Sequence, residues 1–207
     1  MPDQIAPVIT AAVEGNLDEA VIRRLIEDAG CVVGLVYGRR GKNYLRDKLK
    51  AFNHAALFRP WVVLVDLDRD ADCAPRLRQE WLERPSTGML FRVAVREVES
   101  WLLGDRDRLA NFLHVNSDRI SANPEDLPNV KRTMVDLARR SRRREIVEDI
   151  VPDPTAGRIV GRAYSSRLSE FVLDRAAGWR PNVAAQVCPS LWRFINRLKN
   201  FPESLRP

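Results

Sequence analysis

Residues 61–66 read WVVLVD, an unbroken apolar run of mostly β-branched residues that ends in a carboxylate. A strand whose apolar side chains do not alternate is covered on both faces, which is the condition of a strand inside a parallel sheet. Three more runs of this kind occupy the first half of the chain: APVITAAV (6–13), CVVGLVYG (31–38) and MLFRVAVRE (89–97). Between them the period changes. Leu17, Val21, Leu25 and Ile26 recur at helical spacing up to Gly30, and Tyr44, Leu45, Leu49 and Phe52 mark one side of a helix expected over about 43–58. A further helix is expected over about 72–83, with Asp72 as its N-cap and Pro75 tolerated in the first turn, and another starts in VESWLLGD. Strand alternating with helix predicts an α/β fold in which a central, mostly parallel sheet has helices on both faces.

Beyond residue 115 the apolar strands stop, and helices are broken by proline loops at 121–129, 151–157, 178–182 and 187–190. Helices are expected over 130–143, 165–177 and 190–199. The domain organisation predicted is a core over 1–115 and a basic helical extension over 116–207 packed on it. With 207 residues and 45% hydrophobic content the chain can bury one good-sized core. No window approaches eighteen uninterrupted apolar residues and the first residues lack a basic leader, so a soluble, cytoplasmic protein without membrane association is expected. Cys31, Cys73 and Cys188 are odd in number and far apart, which argues against a disulfide frame or a thiolate zinc site. His54 and His114 lie apart in helical contexts, and Trp101 and Trp192 read as core residues. No nucleophile-elbow serine and no GxxxxGK[ST] or GxGxxG loop is present.

In a parallel sheet the loops leaving the carboxyl ends of the strands gather along one edge, where ligands bind. Acids fall at those ends: Glu14 after the first run, Asp66 and Asp68 after the third, Glu97 and Glu99 after the fourth. Two unscreened negative charges about 4 Å apart cost roughly 4 kcal/mol at an effective dielectric of 20, so convergent carboxylates need protons or a cation. Mg²⁺ or Mn²⁺, which take oxygen ligands and retain waters, match such a donor set. Asp70 and Asp72 read as turn and cap residues, and Arg69 can pair with any neighbour. A calcium loop fails because Ala71 and Leu77 stand where an EF-hand needs Gly and Glu.

The net charge is +6, and the excess is uneven. KRTMVDLARRSRRR carries Lys131, Arg132, Arg139, Arg140, Arg142, Arg143 and Arg144 against Asp136 alone, a local field suited to a polyanion as well as to a solvated helix face. Arg39, Arg40 and Lys42 in YGRRGK are further candidates for phosphate contact.

The segments VEGNLDE, VVLVDLDRD and VREVESWLLGD, in that order and each after a strand, resemble the TOPRIM fold. That fold is the metal-binding core shared by topoisomerases, primases and OLD-like nucleases. The most similar group is that of small bacterial stand-alone TOPRIM-like proteins, often found near phage-defence genes. The resemblance covers roughly residues 6 to 115 and continues more loosely through GRAYSSRLSEFV and PSLWRFINRL. It implies a divalent-metal-dependent nuclease, DNA more than RNA being its substrate, working as a homodimer or in a larger defence complex. Glu14 matches the first-strand glutamate, a metal ligand or general acid/base, and Asp18 the additional acid of nuclease members. Asp66 and Asp68 match the pair that holds Mg²⁺, and Glu99 matches the third-motif acid, with Glu97 as its competitor. Lys42, Lys131 or Arg162 would supply the cation used near the scissile phosphate. Two other readings stand beside it. One is a nucleic-acid-binding or partner protein that keeps the fold without turnover. The other is a DxD phosphatase of haloacid dehalogenase type, which sets its nucleophile earlier in the chain.

Overall fold

A computed structural model describes residues 6–68 and 70–201; Arg69, whose pairing the sequence leaves open, lies outside the described residues. The chain divides into two compact units, one formed by 1–94 with 193–207 and the other by 95–192. The sequence places its boundary at 115.

The first unit is built on a four-stranded, all-parallel sheet. Its strands are β1 (Val8–Val13), β2 (Val32–Gly38), β3 (Trp61–Asp66) and β4 (Met89–Ala94), in the order β2-β1-β3-β4. The connections are α1 (Asn16–Asp28), α2 (Lys42–Ala55) and α3 (Ala74–Trp81). The sheet order decides where these helices go. β1 is followed by its neighbour on one side, whereas β3 lies on the other side of β1 and is followed by β4 beyond it. Right-handed crossovers therefore send α1 to one face and α2 and α3 to the other. β3 is covered on both faces, and Val62, Val63, Leu64 and Val65 are fully buried, which accounts for its lack of alternation. Each such side chain contributes about 1.5–3 kcal/mol relative to exposure. β2 is an edge strand and leaves Leu35 and Tyr37 exposed.

The α3 helix begins one residue later than expected. Cys73 is its N-cap, and Asp72 instead accepts a hydrogen bond from Arg76 at 2.8 Å.

The second unit is helical: α4 (Val98–Leu103), α5 (Arg106–Leu113), α6 (Val130–Ala138), α7 (Arg144–Ile150), α8 (Tyr164–Leu173), α9 (Pro181–Ala184) and the first turn of α10 (Pro189–Asn200). The helix expected over 130–143 stops at Ala138, and Arg144 starts a new one. A string of arginines separates the two. Every residue of α4 is buried. Trp101 donates its indole N–H to Ser190 Oγ at 2.7 Å, and Trp179 donates to the Trp101 carbonyl at 3.0 Å. Trp101 is thus a core residue as expected, but Trp192 is exposed, because its neighbours Leu191 and Phe194 take the buried side of α10. The cysteines are all free thiols.

Candidate active site

β1 and β3 are hydrogen-bonded neighbours whose onward connections leave in opposite directions, which makes their carboxyl ends the switch point of the sheet, the place where sheets of this kind bind ligands. Glu14 is the residue after β1, and Asp66 is the last residue of β3. Glu14 Oε1 accepts a hydrogen bond from the Asp66 backbone N–H at 2.7 Å, which ties the two strand ends together. The chain then turns sharply. Asp68 has φ 50°, a left-handed conformation that costs most side chains free energy and that aspartate tolerates better than most.

The β2–α2 loop closes over the same edge. Arg39 N–H donates to the Val13 carbonyl at 2.9 Å and Gly41 N–H to the Glu14 carbonyl at 3.0 Å. Gly38 makes this approach possible: at φ +100° a Cβ would lie 2.0 Å from the Val13 carbonyl oxygen. The loop delivers Lys42, the first residue of α2, into the acids. Its ammonium donates to Asp68 Oδ2 at 2.6 Å and to Asp70 Oδ2 at 2.8 Å. In the first turn of α1, Asp18 is buried and its Oδ2 accepts from Gly15 N–H at 2.9 Å.

The electrostatics follow from this packing. Burial raises the Glu14 pKa from 4.5 to about 7; the Asp66 N–H and the Lys42 charge pull it down, while Asp18 and Asp68 push it up. Burial works against the Lys42 ammonium, but its bonds to Asp68 and Asp70 and the charges of Glu14 and Asp68 hold its pKa above the ordinary lysine value. The site therefore holds a carboxyl group that exchanges a proton near neutrality beside a fixed cation.

The donor set consists of hard carboxylate oxygens, the chemistry that Mg²⁺ and Mn²⁺ prefer. Among the described residues, however, no three His, Cys, Asp or Glu side chains converge closely enough to ligate one ion. In this arrangement Lys42 holds Asp68, and one Glu14 oxygen accepts from the Asp66 amide. By donor type, Asp66, Asp68 and Glu14 are the residues that would hold such an ion.

Glu97 and Glu99 belong to the second unit, where they gather around Lys131. Glu97 accepts from the Lys131 ammonium at 2.7 Å and from its backbone N–H at 3.2 Å. Glu99 is only 2% exposed, takes a hydrogen bond from the Tyr164 hydroxyl at 3.2 Å, and lies 3.8 Å from the Lys131 ammonium. Tyr164 has no sequence signal, since it sits in an ordinary amphipathic helix.

The expected polyanion contacts are mostly exposed. Arg132 and Arg139 flank Asp136, Arg143 pairs with Glu145, and Arg144 with Glu148. Among the described residues Arg140 and Arg142 form no ion pair. Arg39 is bound to Glu19 at 2.9 Å, and Arg40 lies over the Tyr44 ring. The placement of Lys42 inside the acid cluster was legible only indirectly: β2 neighbours β1, so its exit loop must reach the same edge.

Comparison with protein-family models, with curated proteins and with solved structures gave no match.

Proposed function

We propose that the first unit is a TOPRIM-like phosphodiesterase core acting on nucleic acid with a divalent metal ion. The observation that carries this reading is the meeting of Glu14 and Asp66 at the switch point of the sheet, with Asp68 and Lys42 beside them. Asp66 and Asp68 would hold Mg²⁺ or Mn²⁺, with Glu14 at its edge. The ion would supply Lewis-acid polarisation of a phosphoryl oxygen. Glu14, half-ionised near pH 7, would take the proton of a water as that water attacks phosphorus and the P–O bond to one sugar oxygen breaks, that oxygen leaving with a proton from solvent. Lys42, freed from Asp68, neutralises charge on the phosphate. The arginines of the second unit, Arg132, Arg139, Arg140, Arg142 and Arg143, suit sequence-independent contact with backbone phosphates.

One observation favours a second reading. The Lys42 ammonium already balances Asp68 and Asp70, as a cation built into the protein would in a nucleic-acid-binding protein without turnover. Incubating the purified protein with labelled DNA and RNA, single and double stranded, in Mg²⁺ or Mn²⁺ separates the two. Metal-dependent cleavage that falls at least about a hundredfold in Asp66→Asn and Glu14→Gln supports hydrolysis. Cleavage equal in both variants assigns the activity elsewhere, and binding without cleavage supports the second reading.

A further inference from the structure

β4 carries one charge among apolar residues, Arg92 in MLFRVA. The residue is half-buried, and its buried Nε has no hydrogen-bond partner among the described residues. Among the described residues no carboxylate pairs with it. The charges that face it all have its own sign: Arg78 from α3, and Arg193 and Arg197 from α10. Burial first, and then these three arginines, lower the Arg92 pKa to about 10. A half-buried cation beside other cations, with no carboxylate partner among the described residues, works against folding.

Arg78, Arg92 and Arg197 line a cavity of about 350 Å³. Met89, Phe91 and Phe201 supply apolar wall, and Thr87 and Asn200 supply polar groups. The volume lies at the lower end of the range of small-ligand sites, and an apolar wall with a few convergent polar groups is their usual composition. The cavity is lined by the first four residues of β4 and by Pro85 and Thr87 ahead of the strand, toward its amino end, and shares no residue with the acid cluster.

We infer that this cavity is a binding site for an organic phosphate whose terminal phosphate is held by Arg78, Arg92 and Arg197 and whose ring system lies on Met89, Phe91 and Phe201. Guanidinium matches phosphate oxygens in paired, charge-assisted hydrogen bonds, and a phosphomonoester carries close to two charges where a carboxylate carries one. Three convergent guanidinium groups are better balanced by the former. A free mononucleotide and the phosphorylated end of a nucleic-acid strand present this same chemistry.

Titration calorimetry on the full chain without divalent metal tests the inference, with AMP, adenosine, and a short oligonucleotide bearing either a 5′-phosphate or a 5′-hydroxyl as probes. AMP or the phosphorylated oligonucleotide binds with Kd below about 1 mM, more weakly as salt is raised. Adenosine and the 5′-hydroxyl strand bind at least about tenfold more weakly. Whichever phosphorylated probe binds identifies the source. Arg92→Met and Arg197→Met each weaken binding at least about tenfold. Arg92→Met unfolds at a higher temperature than wild type when no ligand is present, so its lost affinity is not lost structure. The inference is overturned if neither phosphorylated probe binds, if the phosphate makes no difference, or if Arg92→Met binds as wild type does.

Discussion

Replacing Glu14 by glutamine probes the acid cluster without changing its shape, because the amide oxygen can still accept the 2.7 Å hydrogen bond from the Asp66 N–H. In the folded protein Glu14 holds its proton up to about pH 7, whereas an unfolded chain releases it near the ordinary value of 4.5. Between those values the folded state binds more protons than the unfolded one, so its stability falls as pH rises. At about 1.4 kcal/mol per decade of acidity, the shift from 4.5 to about 7 amounts to about 3 kcal/mol. That contribution is fully present below pH 4.5 and lost above pH 7. Glu14→Gln does not titrate, and the other carboxylates cancel in the comparison. Relative to wild type, the variant should therefore gain about 3 kcal/mol between pH 4 and pH 8, or roughly 6–12 °C in Tm for a chain of this size. Thermal unfolding of both proteins across that pH range measures it. A difference in Tm that does not change with pH would show that Glu14 is not held protonated by burial.

Four other perturbations test parts of the site and, in the last case, a buried ion pair of the second unit. Lys42→Met removes a charge that lowers the Glu14 pKa, so the Glu14 carboxyl carbon should titrate above pH 7 by NMR; because Asp68 and Asp70 are well exposed, the stability lost should stay within about 1 kcal/mol. Gly38→Ala puts a Cβ 2.0 Å from the Val13 carbonyl and should destabilise by more than about 3 kcal/mol in urea unfolding, while Gly41→Ala, with open space but φ +81°, should cost about 1–2 kcal/mol. Binding of Mg²⁺ at pH 7 should release roughly half a proton from Glu14, read by calorimetry in buffers of different ionisation enthalpy, and Glu14→Gln should abolish that release. Asp105→Asn weakens a fully buried carboxylate that takes three hydrogen bonds from Arg180, at 2.6–2.9 Å, and should destabilise the protein by about 2–4 kcal/mol in urea unfolding.

The parallel sheet was legible because WVVLVD and its companions are too continuously apolar for a half-exposed strand, and because Gly15 and Gly30 bracket a clear helical period. The convergence of Glu14 with Asp66 followed from their strand-end positions alone. Side-chain partners were not legible. Periodicity reports which face of an element is buried, not which charge a long side chain reaches, so Lys42 read as a candidate for phosphate contact with no sign that it bridges Asp68 and Asp70. The same limit hid the Tyr164–Glu99 contact and the arginines around Arg92, which come from elements far apart in the chain. Trp192 misled because aromatic character was taken for burial, whereas α10 turns it to solvent.

Titration of Mn²⁺ into the metal-free protein, followed by loss of the six-line electron paramagnetic resonance signal of the free ion, tests most directly whether these acids form a metal site. Wild type should quench the signal, Asp66→Asn and Asp68→Asn should not, and Lys42→Met should bind at lower Mn²⁺ concentration because the ammonium that competes for Asp68 is gone. Equal behaviour of all four proteins, whether by binding or by its absence, contradicts the assignment.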